Sequence, residues 1–399
     1  MSTLAFQYRV RDALGKEHQG TVESVNRDEA VAQLRREGMQ VLELEEDAGP
    51  GLFAPGIRRT DVIYLTNQLA IMVDTGITLS VALEGIAEQE ANPTMRQMLN
   101  DLKRGVESGD DFSSSLAKYP KPFDKTYVSM IKVGEATGTL AEMLERVALY
   151  LRKEMEMRSK VKAAMAYPAV MATMAIGVTT FLLTFILPKF APLFAKKGIK
   201  LPTPTRWSMA ASDVLLHWWH LWIPGLIIAV VGFIVFKKTK QGRRMIDGIL
   251  LNAPLIGTVT RKVAISRSIR TLGTMLNSGL PVLEALKLTS EVAGNSYYEE
   301  IWLHVLDEVT QGNEICESLK GNPLFPATLV QMISAGEQTA KLGDVLQKVS
   351  DYYDHEVETA IKTATSMIEP IMISAMGVIV GTIGLALLLP VFSLSKASN

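Results

Sequence analysis

One long segment is written twice in this chain, and each copy closes on an uncharged apolar run. Met72-Val73-Asp74-Thr75-Gly76 is echoed by Met275-Leu276-Asn277-Ser278-Gly279. Gly109, Ser115 and Leu116 recur as Gly312, Ser318 and Leu319, and Gly134-Glu135 recurs as Gly336-Glu337. Tyr150 and Glu154 recur as Tyr352 and Glu356, Pro168 as Pro370, and Leu187-Pro188-Lys189-Phe190 as Leu389-Pro390-Val391-Phe392. The offset is 203 residues at first and 202 later, so one residue is lost near Pro323. A duplication of this size sets the architecture before any single element is assigned.

Three runs are long enough to cross a bilayer as helices, for which roughly 20 apolar residues suffice. They are Ala169 to Leu187, Leu215 to Phe236 and Ile371 to Phe392, and none holds an Asp, Glu, Lys or Arg. His217 to Trp222 reads as an aromatic belt at a membrane surface. The mean hydropathy of +0.17 fits a chain with spans. The formal net charge of -1 gives no support to nucleic-acid binding. A single cysteine, Cys316, excludes an internal disulfide and suits a reducing compartment. The N-terminus lacks the pattern of a cleaved secretory signal.

Two polar helical parts, each followed by one span, would fall on opposite sides of a membrane. The middle span returns the chain to the first side. Lys237, Lys238, Lys240, Arg243 and Arg244 after the second span, and Arg152, Lys153, Arg158, Lys160 and Lys162 before the first, favour a cytoplasmic N-terminus. The expected organisation is a small α+β unit over 1–45, a linker over 46–59, a first helical repeat over 60–168 and a span over 169–187. An external connection follows over 188–214, then a span over 215–236, a basic connection over 237–261, a second helical repeat over 262–370, a span over 371–392 and a short tail over 393–399.

Phe6, Tyr8 and Val10 alternate as in a strand, Asp12 to Gly15 reads as a turn, and Gln19 to Val25 and Val41 to Leu44 as further strands. A helix over Asp28 to Glu37 stops at Gly38. Each repeat then reads as about six helices, an all-α bundle by count. The first helix of each stops at Gly76 or Gly279. Ser296 reads as an N-cap, and Thr139 with Glu142 as a capping box. Leu140, Leu144, Val147 and Leu151 form an apolar stripe on the last helix, matched by Leu342, Leu346, Val349 and Tyr353. Pro168 and Pro370 are expected to kink those helices at the membrane.

No phosphate loop, dinucleotide turn, zincin pair or nucleophile elbow is present, so no catalytic, cofactor or metal residue is assigned. Uncharged spans disfavour a transporter. Gly377-x-x-x-Gly381, with Gly384, is a candidate packing face between membrane helices. Glu135 and Glu337 read as helix-start acids on the dipole of the long helix, weighed against partner contact.

Two helical repeats, each with a Gly-Glu-x-Thr turn and a span ending Leu-Pro-x-Phe, together resemble the type II secretion protein F (GspF) family. The N-terminal Tyr8-Arg9-Val10 unit and Glu369-Pro370 extend the resemblance over the whole chain. It implies a multi-pass platform protein of the bacterial inner membrane, serving type II secretion or type IV pili. It also implies paired six-helix cytoplasmic bundles, dimers or higher oligomers, and a role that is not enzymatic. The expected partners are a cytoplasmic assembly ATPase, pilin or pseudopilin subunits, other inner-membrane assembly proteins and the lipid bilayer. Family-like positions are Gln68, Leu69, Gly76, Gly134, Glu135, Gly138 and Leu140, then Arg270, Leu272, Gly279, Pro281, Gly336, Glu337 and Leu342. The chain departs from the family at Asn67, where arginine is usual, and at Ala340, which stands opposite Gly138. The alternative is a membrane receptor or adaptor whose helical bundles sense a ligand.

Overall fold

Alternating apolar residues and one short helical stripe assemble the N-terminal unit. The computed structural model describes residues 4–11, 17–24, 26–36, 38–46, 55–190 and 203–397. Strand β1 (Leu4–Arg11) lies between β2 (Glu17–Ser24) and β3 (Gln40–Glu46), antiparallel to both. Helix α1 (Arg27–Arg36) brings Ala30 and Leu34 onto Val10, with Val31, Met39 and Val41 around them. Gly38, at φ +79°, ends α1, and the Met39 N–H donates back to the Leu34 carbonyl at 3.1 Å. That is a Schellman closure, which requires a left-handed residue that glycine adopts without strain. The expected turn at Asp12 to Gly15, linker residues 47–54, connection residues 191–202 and Ser398-Asn399 lie outside the described residues.

The chain forms two compact units, Met1–Ser115 and Leu116–Asn399. The first continues with α2 (Arg59–Asp74), α3 (Leu79–Gln89) and α4 (Pro93–Glu107), and α5 (Phe112–Ala117) closes it. Val62, Leu65, Thr66 and Leu69 form the buried stripe of α2, and Met95, Met98, Leu99 and Leu102 that of α4. Asn92 caps α4 by accepting from the Thr94 N–H at 3.0 Å, with Pro93 at the first helical position.

The second unit begins with α6 (Lys125–Thr137) and α7, which runs from Leu140 through a π-helical turn at Leu182–Ile186 to Phe190. Next come α8 (Thr203–His217), α9 (Trp219–Lys238) and α10 (Lys240–Asn252). The second repeat supplies α11 (Ile256–Asn277), α12 (Val282–Val292), α13 (Ser296–Thr310), α14 (Ile315–Leu319), α15 (Ala327–Gln338) and α16 (Leu342–Ala397). Both repeats therefore unroll as six helices in the same order. Leu79 and Val282 open equivalent helices, as do Lys125 and Ala327, so the lost residue falls between Ile315 and Ala327. In the second repeat Trp302 and Tyr298 are fully buried against Phe325, with ring centroids 5.6 and 5.5 Å away.

Four local expectations need correction. Asn295, not Ser296, caps α13, its side chain accepting from the Tyr297 N–H at 3.0 Å. Thr139 makes no cap hydrogen bond, because its hydroxyl pairs with that of Thr137 at 2.7 Å and Glu142 holds Arg146 at 2.6 Å. The second span starts at Trp219 rather than Leu215, since Leu215 packs with α8 against α7 and α16 and the chain breaks helix at Trp218. Finally, α16 continues to Ala397 instead of ending at Phe392, as no Gly or Pro interrupts 393–397.

Candidate functional site

The residues that repeat most faithfully build tight helix–helix turns. Gly76 (φ +86°) and Gly279 (φ +82°) close α2 and α11, where the Ile77 and Leu280 N–H groups reach the Met72 and Met275 carbonyls at 3.0 and 3.1 Å. Gly138 (φ +73°) closes α6, and its counterpart Ala340 is forced to φ +54° at the end of α15. There the Lys341 N–H meets the Gly336 carbonyl at 3.0 Å. Gly134 and Gly336 are small because the following helix lies on them. A Cβ on Gly134 would approach the Met143 Cγ to 2.8 Å, and one on Gly336 the Leu342 Cα to 3.1 Å. These glycines are hairpin parts, which fixes where α7 and α16 depart.

Glu337 acts on a different helix from the one expected. Its two carboxylate oxygens accept from the Ile315 and Cys316 N–H groups at 2.7 and 2.8 Å, so it caps α14, not α16. The reason is position: Glu337 sits in the last turn of α15, and its side chain crosses to the open N-terminus of the neighbouring short helix. Glu314, Cys316 and Glu337 gather close enough to suggest a cation site. Both oxygens of Glu337 are already engaged by backbone donors, which suits a cap. Burial, with the Glu337 and Glu314 charges beside it, pushes the Cys316 thiol up to about 11, so it is protonated at neutral pH. Glu135 is half-buried within α6, and Gln68 is half-buried on α2 beside the fully buried Leu69.

A charged seam joins α7 to the second repeat. Glu154 stands at the next step of the apolar stripe after Leu151 and is buried. It accepts from Arg158 at 2.7 Å on its own helix and from Arg267 of α11 at 3.1 Å. Arg270, also buried, pairs with Asp354 of α16, and Ser266 donates to the same carboxylate at 2.7 Å. Arg146 donates to the Asn277 carbonyl at 2.6 Å, at the end of α11. Lys160 meets Glu358 at 2.9 Å, and Lys262 meets Glu356 at 2.5 Å. Lys262 holds the Glu356 carboxyl below the usual carboxylate range, first through its hydrogen bond and then through its charge. Burial lifts Tyr150 to about 12, with Asp124 and Glu154 adding to the effect. The sequence signal for Glu154 was an acid on an apolar stripe, repeated as Glu356.

At the apolar end, α8 lies across α7 and α16. Leu183, Leu187 and Ile383 are buried there with Met209 and Leu215 packed on them. The Thr205 hydroxyl donates to the Ala386 carbonyl at 2.8 Å, and the Ser212 hydroxyl to the Leu183 carbonyl at 2.6 Å. Leu183 lies in the π-helical turn, where carbonyls lose their ordinary partners. The candidate packing face behaves differently: a Cβ at Gly377, Gly381 or Gly384 would meet nothing within 4 Å, so no helix among the described residues covers it. Helix α9 has no buried residue among those described. Pro168 and Pro370 sit inside α7 and α16, and both helices continue past them. Among the described residues three helices, α7, α9 and α16, are long and apolar enough to cross a membrane.

Against known proteins, the family profile described as type II secretion system (T2SS), protein F matches residues 65–188 and again 268–390. The N-terminal domain profile of the same family matches residues 1–45. The chain is 38% identical to the type IV pilus assembly protein PilC of Thermus thermophilus, over 98% of each chain. It is 35% identical to the PilC of Myxococcus xanthus, over 99% of this chain and 96% of that one. To the type II secretion system protein F of Vibrio cholerae it is 31% identical, over 98% of each.

Proposed function

Since the chain belongs to the type II secretion system protein F family, we propose that this membrane platform passes movement from a cytoplasmic assembly ATPase to pilin or pseudopilin subunits. The observation that carries the reading is the continuity of α7 and α16. Each leaves a water-facing helical part and becomes a span without a break. The charged seam at Glu154, Arg267, Arg270 and Asp354 ties those two helices to α11. A displacement of the second repeat therefore has a direct route into both spans. The chain works as a homo-oligomer in the bacterial inner membrane, with its N-terminus and both repeats in the cytoplasm. The helical turns and caps at Gly76, Gly134, Glu135, Gly138, Gly279, Gly336 and Glu337 shape the bundles, and their exposed faces receive the partners. The chain itself performs no catalysis in this reading, and the buried Glu154 carboxylate is held by Arg158 and Arg267.

Two measurements test this. In a Cys316→Ser background, single cysteines at Ser108, Asn313 and Trp207 are labelled with a membrane-impermeant maleimide. Ser108→Cys and Asn313→Cys are expected to react only in opened cells, and Trp207→Cys in intact ones. Labelling of Asn313→Cys in intact cells would overturn the topology. The full chain in detergent should then retain its assembly ATPase on affinity capture and show no nucleotide turnover alone. Loss of the ATPase from every such capture would sink the coupling role.

A further inference from the structure

An apolar cavity of about 360 Å³ lies in the second unit, beside the stretches of α7 and α16 that lead into their apolar runs. Val161 and Met165 of α7, Leu250 of α10, Val263 of α11, and Ala364 and Ile368 of α16 line it. Its walls run straight into two spans. Ile368 is three residues before Ile371, about 5 Å at the rise of an α-helix, so one end of the cavity lies next to the expected start of the last span. Only Thr239 separates α9 from α10, which starts α10 at the end of another span. Its apolar residues do not all turn inward: Met245 and Ile249 are 59% and 57% exposed. A helix with an unburied apolar face beside a basic end is suited to the headgroup layer. The basic end is present, because Lys237, Lys238 and Lys240 are exposed at the junction. Two charged residues, Asp247 and Arg267, also line the cavity, and both are engaged: Asp247 accepts from the Ser296 N–H at 2.8 Å, and Arg267 is held by Glu154 at 3.1 Å. An apolar volume with a row of exposed cations at the neighbouring helix junction matches one chemistry: a fatty tail joined to an anionic head.

We propose that this cavity takes an acyl chain of an anionic phospholipid, whose headgroup rests on Lys237, Lys238 and Lys240 while α10 lies in the headgroup layer. Bound there, the lipid fills the gap between α7, α11 and α16. It would set how closely those helices approach at the membrane surface.

The test uses the full chain in nanodiscs containing phosphatidylglycerol or phosphatidylcholine with a photoactivatable acyl chain. Peptides are then mapped for lipid adducts. Adducts are expected on residues 245–267 and 361–368, several-fold more with phosphatidylglycerol. Val263→Trp fills the cavity and should remove most of them. The combined Lys237→Gln, Lys238→Gln and Lys240→Gln chain changes exposed side chains only, so it reads the site even where Val263→Trp disturbs folding. It should reduce phosphatidylglycerol labelling to the phosphatidylcholine level. Equal labelling by the two lipids in the unmodified chain overturns the proposal. So do adducts confined to α9 and the outer halves of the spans, a result that would leave the cavity to an apolar protein segment.

Discussion

Ala340 is a residue in the wrong conformation for its type. Its φ of +54° closes a turn that glycine closes at Gly138 in the first repeat. A left-handed alanine costs about 1 kcal/mol or more. Ala340→Gly is therefore expected to stabilise the chain by about 1 kcal/mol, and Gly138→Ala to destabilise it by a similar amount. Thermal unfolding of the detergent-solubilised chain measures both. Glu337 gives a second expectation: Glu337→Ala strips two backbone donors of their acceptor and should cost about 2 kcal/mol. With its thiol pushed up to about 11, Cys316 should alkylate far more slowly in the native chain than in denaturant at pH 8. The glycines at 76 and 279 were legible because a left-handed helix stop explains them directly, whereas Gly138 was marked only by the family resemblance. The role of Glu337 was not, since the helix it caps lies upstream and is too short to leave a periodic signal.

Helix α8 shows where element-level reading stops. Its polar residues look like those of a loop between two spans, yet Thr205 and Ser212 turn inward and bond to carbonyls of α16 and α7. Nothing in the local pattern reveals that partner, because the acceptors are backbone groups far away in sequence. The aromatic run at 217–222 was similarly ambiguous, since it spans the end of α8 and the start of α9. Loss of either hydroxyl, in Thr205→Val or Ser212→Ala, should weaken the clamp by about 1 kcal/mol. Cysteines placed at Met209 and Leu387 in the Cys316→Ser background report it: their cross-linking should fall in each variant. Unchanged cross-linking would mean that apolar packing alone holds α8. By contrast, the six-helix order of each repeat was readable from spacing alone, because capping glycines and apolar stripes are local.

At the scale of the whole molecule the duplication is visible in sequence, while the asymmetry between copies is a matter of contacts. Asn67 and Arg270 occupy equivalent positions, but Arg270 is buried with Asp354. Glu154 joins the first long helix to the second repeat through Arg267. Glu154→Ala leaves that arginine without its carboxylate and should cost about 2 kcal/mol. The expected sign is a lower melting temperature with the spans still inserted. The Lys262–Glu356 pair adds a pH signature. A carboxyl held below its ordinary value of 4.5 stabilises the fold above that pH and loses the contribution as pH falls through the depressed value. Acid melting curves should show that loss, and Lys262→Gln should flatten it.

One consequence concerns twist. An α-helix resists torsion through its ladder of hydrogen bonds, and α16 is α-helical throughout, missing only the bonds that Pro370 and Pro390 have no N–H to donate. In α7 the ladder is underwound at Leu182–Ile186. Although the two helices descend from one ancestral segment, they are unequal as shafts. Rotation fed into α16 meets two proline sites and no π-helical turn on its way. In α7 it can be absorbed in a single turn, at the place where Ser212 grips Leu183.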